Sequence, residues 1–168
     1  MFYFSFFHCL EGDNLHRIVF SNNKFAIKLH SLLREQEELK NQNIFFSPSS
    51  LSVALGMTFM GSRKKTKEQI SEALHWQNLH DSEIHSAFKT FHEAIHSSES
   101  DDIQLKMANR IWGHHEMEGT TEFSENAQQF YNAGMSKADF IRRPEDARLE
   151  VNDWVEKHTG GIHLLSVR

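Results

Sequence analysis

The feature that most constrains this chain is an ordered change of hydrophobic period. Apolar residues recur every three or four positions through most of the first hundred residues, alternate from Ile103, and return to helical spacing beyond Phe123. Phe25, Leu29, Leu32 and Leu33 predict an amphipathic helix whose stripe runs out in the charged segment Arg34 to Lys40. Ile44, Phe45 and Phe46 form a short strand-like run within Asn43 to Ser47. It is stopped by Pro48, whose missing N–H suits the first turn of a following helix. That helix, from about Ser49 to Met60, reads as buried and ends at Gly61. Thr66 and Gln69 have capping-box spacing and predict a third helix carrying Ile70, Ala73 and Leu74. Ile84, Phe88, Phe91 and Ile95 make the cleanest stripe, on a fourth helix.

The period then changes. Ile103, Leu105, Met107 and Ile111 alternate with Gln104, Lys106 and Arg110, which predicts a strand reaching Trp112 and Gly113. Phe123, Ala127, Phe130 and Tyr131 predict another helix, and Met135 to Phe140 a second strand. Pro144 opens a last helix with Ala147, Val151, Trp154 and Val155 inward, ended by Gly160 and Gly161. The fold class is α+β, dominated by helices. A chain of 168 residues can bury one sizeable core, and no repeat or Pro/Gly-rich linker divides it.

Charge and composition remove several function classes. With 18 basic and 23 acidic side chains the formal charge is −5, which leaves no electrostatic footprint for nucleic acid. Leu51 to Met60 is too short to span a bilayer and holds Ser52 and Thr58, so no membrane partner is expected. The single Cys9 excludes an internal disulfide framework and a zinc site of several thiolates. Met1 to Leu10 is apolar and aromatic like the hydrophobic part of a signal peptide, though no Lys or Arg precedes it. An extracellular location is expected, with the cytoplasm as the alternative.

One motif suggests chemistry. His92-Glu93-Ala94-Ile95-His96 has the H-E-x-x-H spacing that presents two imidazoles to one zinc, with the Glu as general base. No Gly and third His follow at the spacing of the larger zinc-protease motif. Glu116 or Glu118, as third ligand, would follow a predicted strand where a helix is needed. At about 100° per residue His85, His92 and His96 cluster on one flank of the apolar stripe, so they are expected to form a solvated border. His114-His115-Glu116 reads as a loop between elements. Neither a cofactor nor enzymatic activity is expected, and metal binding by His92 and His96 is the weaker alternative. Arg63, Lys64, Lys65 and Lys67 read as a solvated turn rather than a polyanion site.

Several segments in this order carry a family likeness. They are Asn43-Ile-Phe-Phe-Ser-Pro-Ser-Ser50 with Leu51 to Gly61, then Thr66 to Leu74, then Leu105-Lys-Met-Ala-Asn-Arg-Ile-Trp112, then Ala138-Asp-Phe140, then Val151-Asn-Asp-Trp-Val-Glu-Lys-His-Thr159. Over roughly Lys24 to Gly161 the chain resembles the N-terminal portion of a serpin, a serine protease inhibitor. The resemblance implies a suicide inhibitor. A serine protease cleaves an exposed loop near the C-terminus, and that loop inserts as a new strand into a central sheet. It also implies that Ser47 and Ser50 lie under the opening sheet, with a mechanical role and no bond-making chemistry. Read without the family, Ser47-Pro48-Ser49-Ser50 is a turn and helix cap.

The expected division is a signal-like or unstructured extension over 1–20, a partial serpin domain over 21–161, and a divergent tail over 162–168. The tail diverges because Gly160-Gly161-Ile162-His163 lacks the basic residue the family usually places after Gly. Such a chain has no residues for the reactive loop and is expected not to inhibit alone. The alternative is an interaction module that pairs an unfinished sheet with another chain or with a second copy of itself.

Overall fold

The computed structural model describes residues 13–97 and 107–159. The expectations for Met1 to Leu10, Cys9, Ile103, Leu105, Gly160 and Gly161 lie outside the described residues. Backbone contacts divide the chain into two compact units, residues 1–91 and 92–168.

The first unit is helical. Helix α1 spans Asp13–Glu35, a single 3-10 turn Glu37–Leu39, α2 Pro48–Gly61 and α3 Lys64–Ala73; helix α4, Asp81–Ser97, carries the chain across the boundary at Phe91 and His92. The expected extension over 1–20 overlaps this helix at residues 13–20. They form the first turns of α1 and bury Leu15 and Ile18. The inward face is therefore set by Leu15, Ile18 and Ser21, while Leu32, taken as part of the stripe, is exposed. Buried Ser21 donates from Oγ to the carbonyl of His75 at 3.0 Å, and Ser52 donates to Asn22 Oδ1 at 2.8 Å, so the polar groups on this face are paired.

Ile44 to Phe46 is not a strand. A strand is defined by a neighbour, and among the described residues none lies beside this segment; Phe45 is 100% exposed. Pro48 occupies the first turn of α2 as expected, and α2 buries Val53, Met57 and Phe59, although Leu51 points outward. Thr66 does not cap α3. The helix starts two residues earlier, at Lys64, where φ is 50°, and its N-cap Arg63 makes no side-chain capping bond.

The end of α3 places the core aromatic. His75 takes the left-handed conformation, with φ 59°. Its N–H bonds to the Glu72 carbonyl at 3.2 Å, and the next N–H, that of Trp76, reaches back to the Ser71 carbonyl at 2.8 Å. This is the Schellman arrangement, which satisfies terminal carbonyls and turns the following residue inward. Trp76 is 1% exposed and meets Phe59 edge-on at 5.5 Å and Phe88 at 5.7 Å, with Leu74, Ile84 and Ala87 also buried in this unit.

The second unit is built around a parallel pair of strands, β1 Asn109–His114 and β2 Ala133–Ala138, in the register Asn109↔Ala133 to His114↔Ala138. Parallel strands need a crossover, supplied by α5, Thr121–Tyr131. Thr120 caps its start, accepting from the Phe123 N–H at 3.2 Å, and Asn132 closes its end with φ 48°. Ala127 and Tyr131 are buried. Helix α6, Pro144–Thr159, follows a turn in which Asp139 Oδ1 accepts from the N–H groups of Ile141 and Arg142. The architecture is helix-dominated α+β, as the periodicity required.

Candidate functional site

Ser47 and Ser50 form a local knot of hydroxyls at the start of α2. Ser47 Oγ accepts from the Ser50 N–H at 3.3 Å and from Ser50 Oγ at 2.9 Å, and lies 3.2 Å from Ser49 Oγ. Both Ser47 and Ser50 are exposed. Pro48 removes one orphan donor of the first turn and the hydroxyls satisfy another, so the sequence Ser-Pro-Ser-Ser fixes this helix start locally.

The histidines of α4 are not a solvated border. His85 and His92 are 8% and 7% exposed, and of the three only His96 faces solvent. His85 packs beside the Phe59 ring at 6.0 Å, and burial holds its pKa below the ordinary imidazole value against the pull of Asp81. Burial, then the neighbouring His96, lowers that of His92. Asn109 Nδ2, 3.2 Å from His92 Nε2, also donates to the Tyr131 carbonyl at 2.9 Å. An amide N–H faces Nε2, so neutral His92 accepts there and carries its proton on Nδ1. The ring is thus committed inside the second unit, and His92 and His96 are not brought together with a third acidic or imidazole group among the described residues.

Three features were not legible as sites in the sequence. Asn109 is one, a single side chain tying α4, β1 and the end of α5 together. The second is Arg110, whose guanidinium lies 4.8 Å from the Trp154 ring and 5.8 Å from the Trp112 ring while donating to Ser136 Oγ at 2.9 Å. The third is His114, His115 and Glu116, whose ligating atoms converge to within 4.8 Å of one another where a bare loop was expected. A cleft of about 490 Å³ opens beside them, lined by Trp112, Met117, Phe123 and Met135 among others. In the basic cluster, Lys67 pairs with Asp81 and lies over the Phe59 ring at 4.8 Å, and Arg63 donates to the carbonyls of Met60 and Ser62. Two of its four cations are occupied within the fold.

The sequence model described as Serpin (serine protease inhibitor) matches residues 20–164. The chain belongs to the serpin family. The leukocyte elastase inhibitor of Bos taurus is 40% identical over 141 residues, 84% of this chain and 36% of that protein. Serpin B8 of Homo sapiens is 35% identical over 141 residues, again 84% of this chain and 36% of that protein. The structure of ovalbumin from emu (Dromaius novaehollandiae) superposes with a TM-score of 0.78 over 86% of this chain and 40% of that one, at 23% identity, and so supports the fold. The serpin chain therefore spans a little over a third of the length of these relatives, as their N-terminal portion. Among the described residues no helix is long and apolar enough to cross a membrane.

Proposed function

We propose that this chain supplies the N-terminal part of a serine protease inhibitor, and that it does not inhibit a protease by itself. The observation that carries the reading is the serpin match over residues 20–164, joined to relatives of which the chain spans only 36%. In this reading the chain is no enzyme. Ser47 and Ser50 act mechanically, holding the start of α2 where a sheet must part, and the partner of the whole protein is a serine protease in the extracellular space. Leukocyte elastase is the natural probe, since several relatives are named for inhibiting it. Incubated with a molar excess of the 168-residue chain, the protease should keep its full activity and give no SDS-resistant adduct on a gel. An adduct, or stoichiometric loss of activity, would overturn the claim that the chain alone is inert.

A second reading, self-association, rests on the exposure of Phe20, Phe45, Met117 and Ile141 and on a β1 edge that pairs only with β2 among the described residues. Exposed strand edges and large apolar side chains favour association. Size-exclusion chromatography with light scattering should then show species above 19.6 kDa whose population grows with concentration. A monomer that unfolds sharply at all concentrations would remove it.

A further inference from the structure

We propose that the turn after β1 is a divalent metal site of the zinc class, with His114, His115 and Glu116 as ligands. His114 is the last residue of β1, and the next two residues form a tight turn closed by the Met117 N–H on the His114 carbonyl at 2.9 Å. The His115 N–H continues the strand ladder to the Ala138 carbonyl at 3.1 Å, so the backbone beneath both imidazoles is fixed by the sheet. His115 Nε2 stands 3.7 Å from Glu116 Oε1 and His114 Nε2 stands 4.0 Å from Glu116 Oε2. Two donors about 2.0–2.1 Å from one tetrahedral zinc lie roughly 3.3 Å apart, and the three ligand atoms now lie within 4.8 Å of one another, so side-chain rotation must draw them together on binding. Two imidazoles and a carboxylate are the donor set of an open zinc site, with a fourth position left for water or a further group.

The surroundings orient one ligand. Asp139 Oδ1 lies 3.9 Å from His115 Nδ1, the nitrogen that faces away from Glu116, and Asp139 is itself held by two backbone N–H groups. At this separation the contact is electrostatic; a small rotation of the His115 ring would let Nδ1–H donate to the carboxylate and offer Nε2 to the metal. One cation competes: Arg142 Nη2 is 3.5 Å from Glu116 Oε1. This pair is largely exposed, so the arginine can swing away at small cost.

The test is calorimetric titration of the untagged full chain with Zn²⁺, repeated with Co²⁺ to read the visible bands of a tetrahedral centre. Binding of one equivalent is expected, weakened at least about tenfold by His115→Gln and by Glu116→Gln, and about tenfold by Asp139→Asn. Arg142→Ala should tighten it severalfold, an effect that a merely structural role for the turn would not give. His92→Gln with His96→Gln should leave it unchanged. Zn²⁺ should also raise the melting temperature of the wild-type chain and not that of Glu116→Gln, whose exposed side chain makes misfolding an inadequate explanation. No binding by the wild-type chain, undiminished binding by the His115 and Glu116 variants, or loss in the α4 double variant would each overturn the site.

Discussion

Replacing Trp76 by Ala should lower the unfolding free energy by about 3–5 kcal/mol, read from the midpoint of urea or thermal unfolding. The indole is almost wholly buried and is met edge-on by Phe59 and Phe88, so truncation loses two aromatic contacts, the transfer free energy of a large side chain, and leaves a void. The Schellman turn cannot relax to refill it, since the Trp76 backbone is tied to Ser71 by a hydrogen bond and the preceding His75 carbonyl accepts from buried Ser21. Trp76→Phe keeps one ring in place and should cost less than half as much. Equal stability of the wild-type chain and Trp76→Ala would show that this aromatic cluster does not organise the first unit.

Asn109→Ala should cost about 2–3 kcal/mol and change how stability depends on pH. The variant removes two donated hydrogen bonds at once, one to the Tyr131 carbonyl and one to His92 Nε2, each worth about 1–1.5 kcal/mol in a buried setting. In the wild-type fold the His92 pKa lies below the ordinary 6.5. Below pH 6.5 the unfolded chain therefore takes up a proton that the folded chain refuses. Stability is full above that pH and declines as the pH falls toward the folded-state pKa. Buried His85 adds in the same direction. Without the Asn109 donor the protonated form of His92 is resisted less, so the decline should be shallower in Asn109→Ala. Unfolding midpoints between pH 5 and pH 8 check this, and parallel curves for the two proteins would contradict it.

Much of the fold could be read in advance because amphipathic helices write their buried face into consecutive turns. The stripe Ile84, Phe88, Phe91 and Ile95 predicted α4, and Pro144 marked the start of α6. What failed depended on residues distant in sequence. Leu15 and Ile18 lie ahead of the stripe that begins at Phe25, yet they are buried in the first unit, and α1 starts at Asp13. Ile44 to Phe46 has the composition of a strand, but a strand exists only where another lies beside it. Thr66 and Gln69 have a capping pattern that the chain overrides by turning at Arg63 and Lys64.

The sites followed the same logic. Ser47 could be recognised as a cap because its partner is three residues away. A helical wheel placed His92 at the border of a stripe and could not show that Asn109, seventeen residues on, would cover it. In the same way, His114, His115 and Glu116 are adjacent in sequence, but only a turn pinned at the end of a parallel strand pair makes their side chains converge.

If this chain is the front part of an inhibitor whose action belongs to a longer protein, the natural product will show it. An antibody raised against residues 24–159 would capture it from source tissue for incubation with leukocyte elastase. The expected catch is a protein more than twice the 19.6 kDa of this chain that shifts upward as an SDS-resistant adduct. Capture of a 19.6 kDa species alone, with no adduct and no inhibition, would contradict it.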